Sequence, residues 1–166
     1  MRIAVLSDIH DNIWNLEKAL HILEGYDAGL MCFLGDFCAP FTLKQLAEGF
    51  PGPVHVVFGN NDGDQFLLAR IASGFDHVTL HGQFAEVTVD SRLVALNHYP
   101  EIAKPIAQSG DYDAVFSGHD HKRYVHRYDT CLWANPGEIM GRFGEPSFGL
   151  YDTETGDFVH VDIETT

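Results

Sequence analysis

The sequence predicts an α/β protein in which two β-sheets pack face to face with helices on their outer sides, a four-layer α/β/β/α sandwich. Three observations predict it. In the first half, short apolar runs alternate with segments of helical period, the pattern of a parallel sheet wound through right-handed crossovers. The second half is a series of short strands and turns, which calls for a second sheet. Strongly polar residues also gather where the apolar runs end, as they do when strand ends line a functional rim.

The elements follow in order. RIAVLSD (2–8) reads as a buried strand with a polar tip, and Asp11 or Asn12 caps the next element. Ile13, Leu16, Ala19, Leu20 and Leu23 recur at helical spacing, and Gly25 ends that run. AGLMCFLGD (28–36) is a second strand with a polar tip. FTLKQLAEGF (41–50) is a short helix stopped by Gly49 and the PGP that follows. VHVVFGNNDGD (54–64) is a third strand, QFLLARIAS (65–73) a third helix, and a short strand lies between His77 and His81. QFAEVTVDSRLVALNH (83–98) alternates and breaks at Asp90–Ser91, a hairpin. EIAKPIAQSG (101–110) is helical in part, with Pro105 limiting it. Short strands are expected in DAVFSGHDH (113–121), YVHRYD (124–129), TCLWANPG (130–137), SFGLYD (147–152) and DFVHVDI (157–163). No repeat, low-complexity tract or linker divides the chain, so residues 1–166 read as a single domain.

Bulk composition narrows the function. Hydrophobic residues are 45% and charged residues 20%, a folded globular profile. With 24 acidic against 10 basic residues, the formal net charge of −14 argues against a broad nucleic-acid or anionic-membrane surface. An anionic substrate is still admissible where bound cations reverse the local charge. Cys32, Cys38 and Cys131 are odd in number and lack zinc-knuckle spacing. Together with an N-terminus that carries no secretory pattern, they lead to the expectation of a reduced, cytoplasmic protein. No apolar run approaches the roughly 18 residues of a membrane span.

The chemistry concentrates at the strand ends. The first strand offers Asp8 and His10, the second Asp36, the third Asn60, the hairpin His98, and DAVFS leads to His119 and His121. In an extended segment i and i+2 share a face, so both histidines of GHDH can reach toward one point. Turns favour Asp, Asn and Gly on their own account, but nothing about turns calls for histidine at three separate tips. Mixed imidazole and carboxylate ligation suits borderline first-row ions rather than Mg²⁺ or Ca²⁺. Seven such groups exceed what one ion takes while keeping an open position. Two ions about 3.5–4 Å apart sharing a carboxylate would use them all, as in phosphatases and nucleases.

The blocks SDIH, GD, GNND, lone His98 and GHDH stand in the order of the signature D-x-H, G-D, G-N-[H/C/N]-[D/E], H, G-H-x-H. In this the chain resembles the calcineurin-like metallophosphoesterases, and most closely their small single-domain bacterial and archaeal phosphodiesterases. Those share GNND and a later NPGE, here Asn135–Glu138. The resemblance implies that Asp8, His10 and His121 hold one ion, that Asn60, His98 and His119 hold the other, and that Asp36 bridges them. It further implies two divalent transition-metal ions, Mn²⁺ first, with Ni²⁺, Fe²⁺ or Zn²⁺ as alternatives. The implied reaction is direct attack of a metal-bridging hydroxide on a small phosphate ester.

Departures from the family pattern mark the remaining candidates. Larger relatives carry histidine where this chain has Asn61, which can hydrogen-bond a phosphoryl oxygen but cannot donate a proton near neutral pH. Asp62 is either an orienting carboxylate behind the ligands or an ordinary turn residue. Asp120 is expected to point to solvent between its histidine neighbours. Trp14 and Trp133 are expected to pack rather than to stack on substrate. Lys122 and Arg123 read as an ordinary basic pair. The other histidines (21, 55, 77, 81, 126 and 160) read as surface or packed imidazoles.

A phosphodiesterase is therefore the leading expectation. A phosphomonoesterase or nucleotidase is the alternative within the same chemistry. A non-catalytic protein-binding module is the alternative outside it, since a retromer subunit is similar to this chain but lacks part of the metal set. A nuclease is disfavoured by the acidic surface, no membrane association is expected, and homo-oligomerisation is left open.

Overall fold

The computed structural model describes residues 1–164; the last two residues of the expected domain lie outside the described ones. In chain order the strands are β1 (Arg2–Leu6), β2 (Ala28–Phe33), β3 (Val54–Val56), β4 (Val78–Leu80), β5 (Phe84–Val89), β6 (Arg92–Asn97), β7 (Ala114–Phe116), β8 (Arg123–Tyr128), β9 (Cys131–Pro136), β10 (Ser147–Asp152) and β11 (Phe158–Asp162). The helices are α1 (Ile13–Leu23), α2 (Pro40–Gly49), α3 (Gln65–Ala72) and α4 (Pro100–Ser109).

Two mixed sheets result. The six-stranded one has the order β11-β10-β1-β2-β3-β4, parallel from β1 to β4 and antiparallel where β10 and β11 complete it. The five-stranded one has the order β5-β6-β7-β9-β8. The β5–β6 hairpin turns at Asp90, whose φ of +53° is tolerated by a short polar side chain.

Strand alternation explains the layers. Ile3 and Val5 of β1 join Val87, Val94, Leu96 and Phe116 in the core between the sheets. Ala4 and Leu6 face the other way, into the core that α1, α2 and α3 cover with Leu16, Leu43 and Leu68. A third, smaller core packs Ala103 and Ala107 of α4 on Ala95, Val115 and Trp133. Each fully buried Phe or Leu contributes roughly 1.5–3 kcal/mol by removal from water. The layering of α/β/β/α follows, as the sequence predicts.

Three local expectations are corrected. Gly25 does not terminate α1; a 3-10 turn over Glu24–Tyr26 carries the chain on, and Asp27 at φ +52° makes the left-handed turn. The second helix begins earlier than expected because Pro40 occupies its first turn, where a missing N–H costs nothing. Pro105 does not limit α4, which continues to Ser109. The bond its ring deletes would have ended on the carbonyl of Glu101, an exposed residue whose backbone water can serve, while Ala103 and Ala107 keep the helix docked.

Candidate metal centre

The carboxyl ends of β1, β2 and β3 in one sheet and of β6 and β7 in the other open onto a common rim. Backbone bonds hold the loops together: Asp8 N–H donates to Gly35 O at 3.0 Å, and Ile9 and His10 N–H both donate to Asp36 O at 3.0 and 3.1 Å. The second sheet is tied to the first by His119 N–H, which donates to Asp8 Oδ2 at 3.0 Å. Such contact needs glycine. A Cβ on Gly118 would sit 2.0 Å from Ser7 Oγ, and one on Gly59 would sit 2.2 Å from Asp36 Oδ1. The glycines of GNND and GHDH are thus where one loop passes against another.

Backbone strain concentrates here. Asp8 (φ +56°), His10 (+43°), Asp36 (+63°), His119 (+70°) and His121 (+61°) are all left-handed, at a cost of roughly 1–2 kcal/mol per residue. The expectation that strand alternation brings His119 and His121 to one point is corrected by these angles. β7 ends at Phe116, and the two histidines lie in left-handed turns beyond it. Their rings part: His121 stacks on His10 with centroids 5.1 Å apart, whereas His119 lies 5.1 Å from His98.

Polar side-chain atoms bring six of the seven sequence candidates together, while the seventh, His119, is placed there only by its ring beside His98 and by its backbone N–H on Asp8. Ligand atoms of Asp8, His10 and His121 fall within 4.8 Å of one another, as do those of Asp8, Asp36 and His98. Asp36 Oδ2 spans the two groups, 3.3 Å from His10 Nε2 and 3.6 Å from His98 Nε2. Asn60 Oδ1 lies 3.2 Å from His98 Nε2. Three histidines are fixed from behind through Nδ1, by Cys38 Sγ at 3.4 Å (His10), by Leu34 O at 2.7 Å (His98) and by Glu138 Oε2 at 2.5 Å (His121). A partner on Nδ1 leaves Nε2 as the ring atom facing the cluster.

Two atoms mark the centre. Asp8 Oδ1 and His10 Nε2 are buried without a hydrogen-bond partner, and His121 Nε2 lies 3.4 Å from that oxygen. Buried polar atoms are otherwise nearly always paired. An unpaired carboxylate oxygen facing imidazole nitrogens is a donor set that fits a borderline divalent cation. Burial alone would push the Asp8 carboxyl up, but the His10 imidazole with its Nε2 3.5 Å from Oδ1, the neighbouring His98 and His121, and the Ser7 hydroxyl hold it below the usual range. Burial opposes charge on His10 likewise, and Asp8, Asp36 and Glu138 outweigh it and raise its pKa. The cluster favours positive charge at its centre.

Asn61 lies at the mouth, exposed, with its N–H and side-chain amide donating to the two oxygens of Asp36 at 2.8 and 2.9 Å. Asp62 is buried beneath. It accepts from the N–H groups of Asp36 (3.1 Å), Phe37 (2.6 Å) and Gly59 (2.7 Å), clamping the GD loop to the GNND loop. Burial raises its pKa despite these donors.

Asp120 does not project freely into solvent; it is half-buried, and its Oδ1 accepts from Lys122 N–H and from Asn135 Nδ2 at 2.8 Å. Trp133 packs as expected, while Trp14 is 69% exposed and does not. Arg123 pairs with Asp162 at the surface. His55 and His81 form a half-buried hydrogen-bonded pair at 2.9 Å rather than lying apart. Sequence reasoning missed Cys38 and Glu138 as supports of His10 and His121. For Glu138 the one available signal was its place in the NPGE block.

A cradle of this donor set on this sandwich defines a class of protein: the chain belongs to the calcineurin-like phosphoesterase superfamily, whose domain residues 1–156 match. It is a hydrolase acting on phosphoric esters. The chain is similar to a phosphodiesterase of Methanocaldococcus jannaschii, at 29% identity over 167 residues covering 99% of this chain and 100% of that protein. A solved archaeal phosphodiesterase superposes with a TM-score of 0.89 at 28% identity, covering 98% of this chain and 99% of its own. YfcE, a phosphoesterase from Escherichia coli, gives a TM-score of 0.71 at 20% identity, covering 99% of this chain and all of that one. Zinc-bound Vps29 from Entamoeba histolytica gives 0.66 at 17%, with the same coverage. These last two likenesses are of fold alone. No helix among the described residues is long and apolar enough to cross a membrane.

Proposed function

We propose that the chain is a phosphodiesterase dependent on two divalent transition-metal ions. The observation that carries this reading is the pair of buried, unpartnered atoms Asp8 Oδ1 and His10 Nε2, aimed at the same space as His121 Nε2. Asp8, His10 and His121 would hold one ion, Asn60, His98 and His119 the other, and Asp36 both. When bound, the ions supply the charge that polarises a phosphoryl oxygen and lowers the pKa of water.

The chain's own residues do the rest. Cys38, Leu34 O and Glu138 keep the Nε2 atoms of His10, His98 and His121 on target. Asp62 holds the two ligand loops in register. Asn61 stands where its amide can leave Asp36 and donate to a phosphoryl oxygen, orienting the ester without giving up a proton. Both sheets furnish ligands, which supports residues 1–166 acting as one domain. Mn²⁺ is the first candidate for the imidazole–carboxylate set, ahead of Ni²⁺, Fe²⁺ and Zn²⁺. The preference for diesters is supported by the archaeal relative named for that activity. The free thiols of Cys32, Cys38 and Cys131 support a reducing, cytoplasmic setting.

The test is hydrolysis of bis-p-nitrophenyl phosphate beside p-nitrophenyl phosphate by protein stripped with chelator and reloaded with each ion in turn. Metal-restored turnover favouring the diester, and abolished in Asp36→Ala, is the expected result. A monoester preference would make the protein a phosphomonoesterase. Failure to retain any metal would remove the catalytic reading.

A further inference from the structure

Phe143 is an apolar ring that the fold keeps in water yet does not leave loose. It is 71% exposed, but its N–H donates to Glu138 Oε1 at 2.5 Å and that of Gly144 to the same oxygen at 2.8 Å. The start of its loop is fastened to the first ligand loop: Met140 N–H donates to Asp8 O at 3.0 Å, and Asn12 Nδ2 donates to Met140 O at 2.8 Å. The backbone that carries the ring is therefore held in place, and the ring stands edge-to-face with His121 at 5.1 Å between centroids. Over it, at 5.3 Å from the centroid, lies the Arg142 guanidinium, which has no salt-bridge partner among the described residues. In a protein of net charge −14, an arginine without an acidic partner among the described residues, one ring removed from His121, is suited to meet an anion.

A phosphodiester bound at the rim carries one negative charge and two ester arms. An arm lying over the Asp8–His10–His121 group meets the exposed ring of Phe143, which Arg142 overlies from one side. An alkyl arm would gain only apolar burial there, whereas a flat π-system gains stacking on the ring and contact with the guanidinium. We propose that Arg142 and Phe143 form a subsite for an aromatic arm of the substrate, a nucleobase or an aryl ring. This rests on the phosphodiesterase reading for the reaction, though not for the binding.

The experiment uses Mn²⁺-loaded full-length protein and two readouts. The first is kcat/KM for p-nitrophenyl esters that share a leaving group and differ in the other arm: methyl, cyclohexyl, phenyl and thymidine 5′. Roughly tenfold preference for phenyl over cyclohexyl is expected, collapsing to about twofold in Phe143→Ala and kept in Phe143→Tyr. A thymidine arm preferred over phenyl identifies a nucleotide source; the reverse identifies an aryl ester. The second is calorimetric binding of phenylphosphonate against methylphosphonate, which needs no turnover. Equal binding of the two by wild type, or a preference that survives Phe143→Ala, overturns the subsite. A phenylphosphonate preference lost in Phe143→Ala, with no hydrolysis of any diester, would sustain the subsite and overturn the diesterase reading instead.

Discussion

Glu138 Oε2 lies 2.5 Å from His121 Nδ1, while the other oxygen of the same buried carboxylate holds the backbone of Phe143 and Gly144. One acid thus aims the His121 imidazole toward the Asp8–His10 cluster and anchors the adjoining loop. Second partners of this kind typically change metal affinity by 10–100-fold. Glu138→Gln keeps the shape and removes the charge, and is expected to weaken Mn²⁺ binding by about tenfold or more. Titration against a competing chelator measures it; unaltered affinity would show that the carboxylate does not act through His121.

His10 has a weaker support. Cys38 Sγ sits 3.4 Å from Nδ1, and burial with the surrounding Asp11, Asp36, Asp62 and Asp8 pushes the thiol up to about 11, so it stays neutral beside the ring. Cys38→Ala is expected to weaken metal binding several-fold, and Cys38→Ser to restore most of it. The same chelator competition applies. Equal affinities in both variants would mean that the sulfur orients nothing.

Asp62 gathers three backbone N–H groups from two ligand loops. Leaving buried donors unsatisfied costs about 1–3 kcal/mol each, so Asp62→Ala is expected to lose about 3 kcal/mol or more. Asp62→Asn, with one carbonyl oxygen left to accept, should lose less. Urea denaturation compares them, and a loss under about 1 kcal/mol in Asp62→Ala would contradict the clamp.

The His55–His81 pair predicts a pH-dependent stability. Burial lowers both pKa values from 6.5, and for His55 the neighbouring His81 adds to it. The unfolded chain therefore binds protons that the folded pair refuses. Stability is fully present above about pH 6.5 and is lost as pH falls below it toward the folded values. Replacing His81 by Phe is expected to flatten the dependence between about pH 7 and 5. An identical slope in the variant, read from urea midpoints, would rule the pair out as its source.

Asn61 cannot supply a proton to a departing alkoxide. Asn61→His is accordingly expected to raise turnover of an alkyl phosphodiester more than that of a nitrophenyl one, whose leaving group needs no acid. Parallel kinetics on the two substrates decide it, and equal effects would separate this position from leaving-group chemistry.

Much of this was legible in the chain. The alternation of Ile3, Val5 with Ala4, Leu6 assigns one strand face to each core, and the 3.6-residue period of Leu16, Ala19, Leu20 and Leu23 docks α1. Those are local properties, carried by residues near one another in sequence. The seven polar residues at the strand tips, too, were visible, because ordinary turns do not call for the histidines among them. What could not be read were the partners. That Glu138 stands behind His121, Cys38 behind His10, and Asp62 beneath both Asp36 and Gly59 depends on loops from different strands meeting within 3 Å or so, as does the place of Phe143. Even the HxH pair was aimed by left-handed turns rather than by strand alternation. Sequence periodicity determined the layers, because it depends on spacing along one element, and residue type at the strand ends determined the set of candidate ligands. Only the tertiary structure decided which atoms face the centre and what holds them there, because those contacts join loops far apart in the chain.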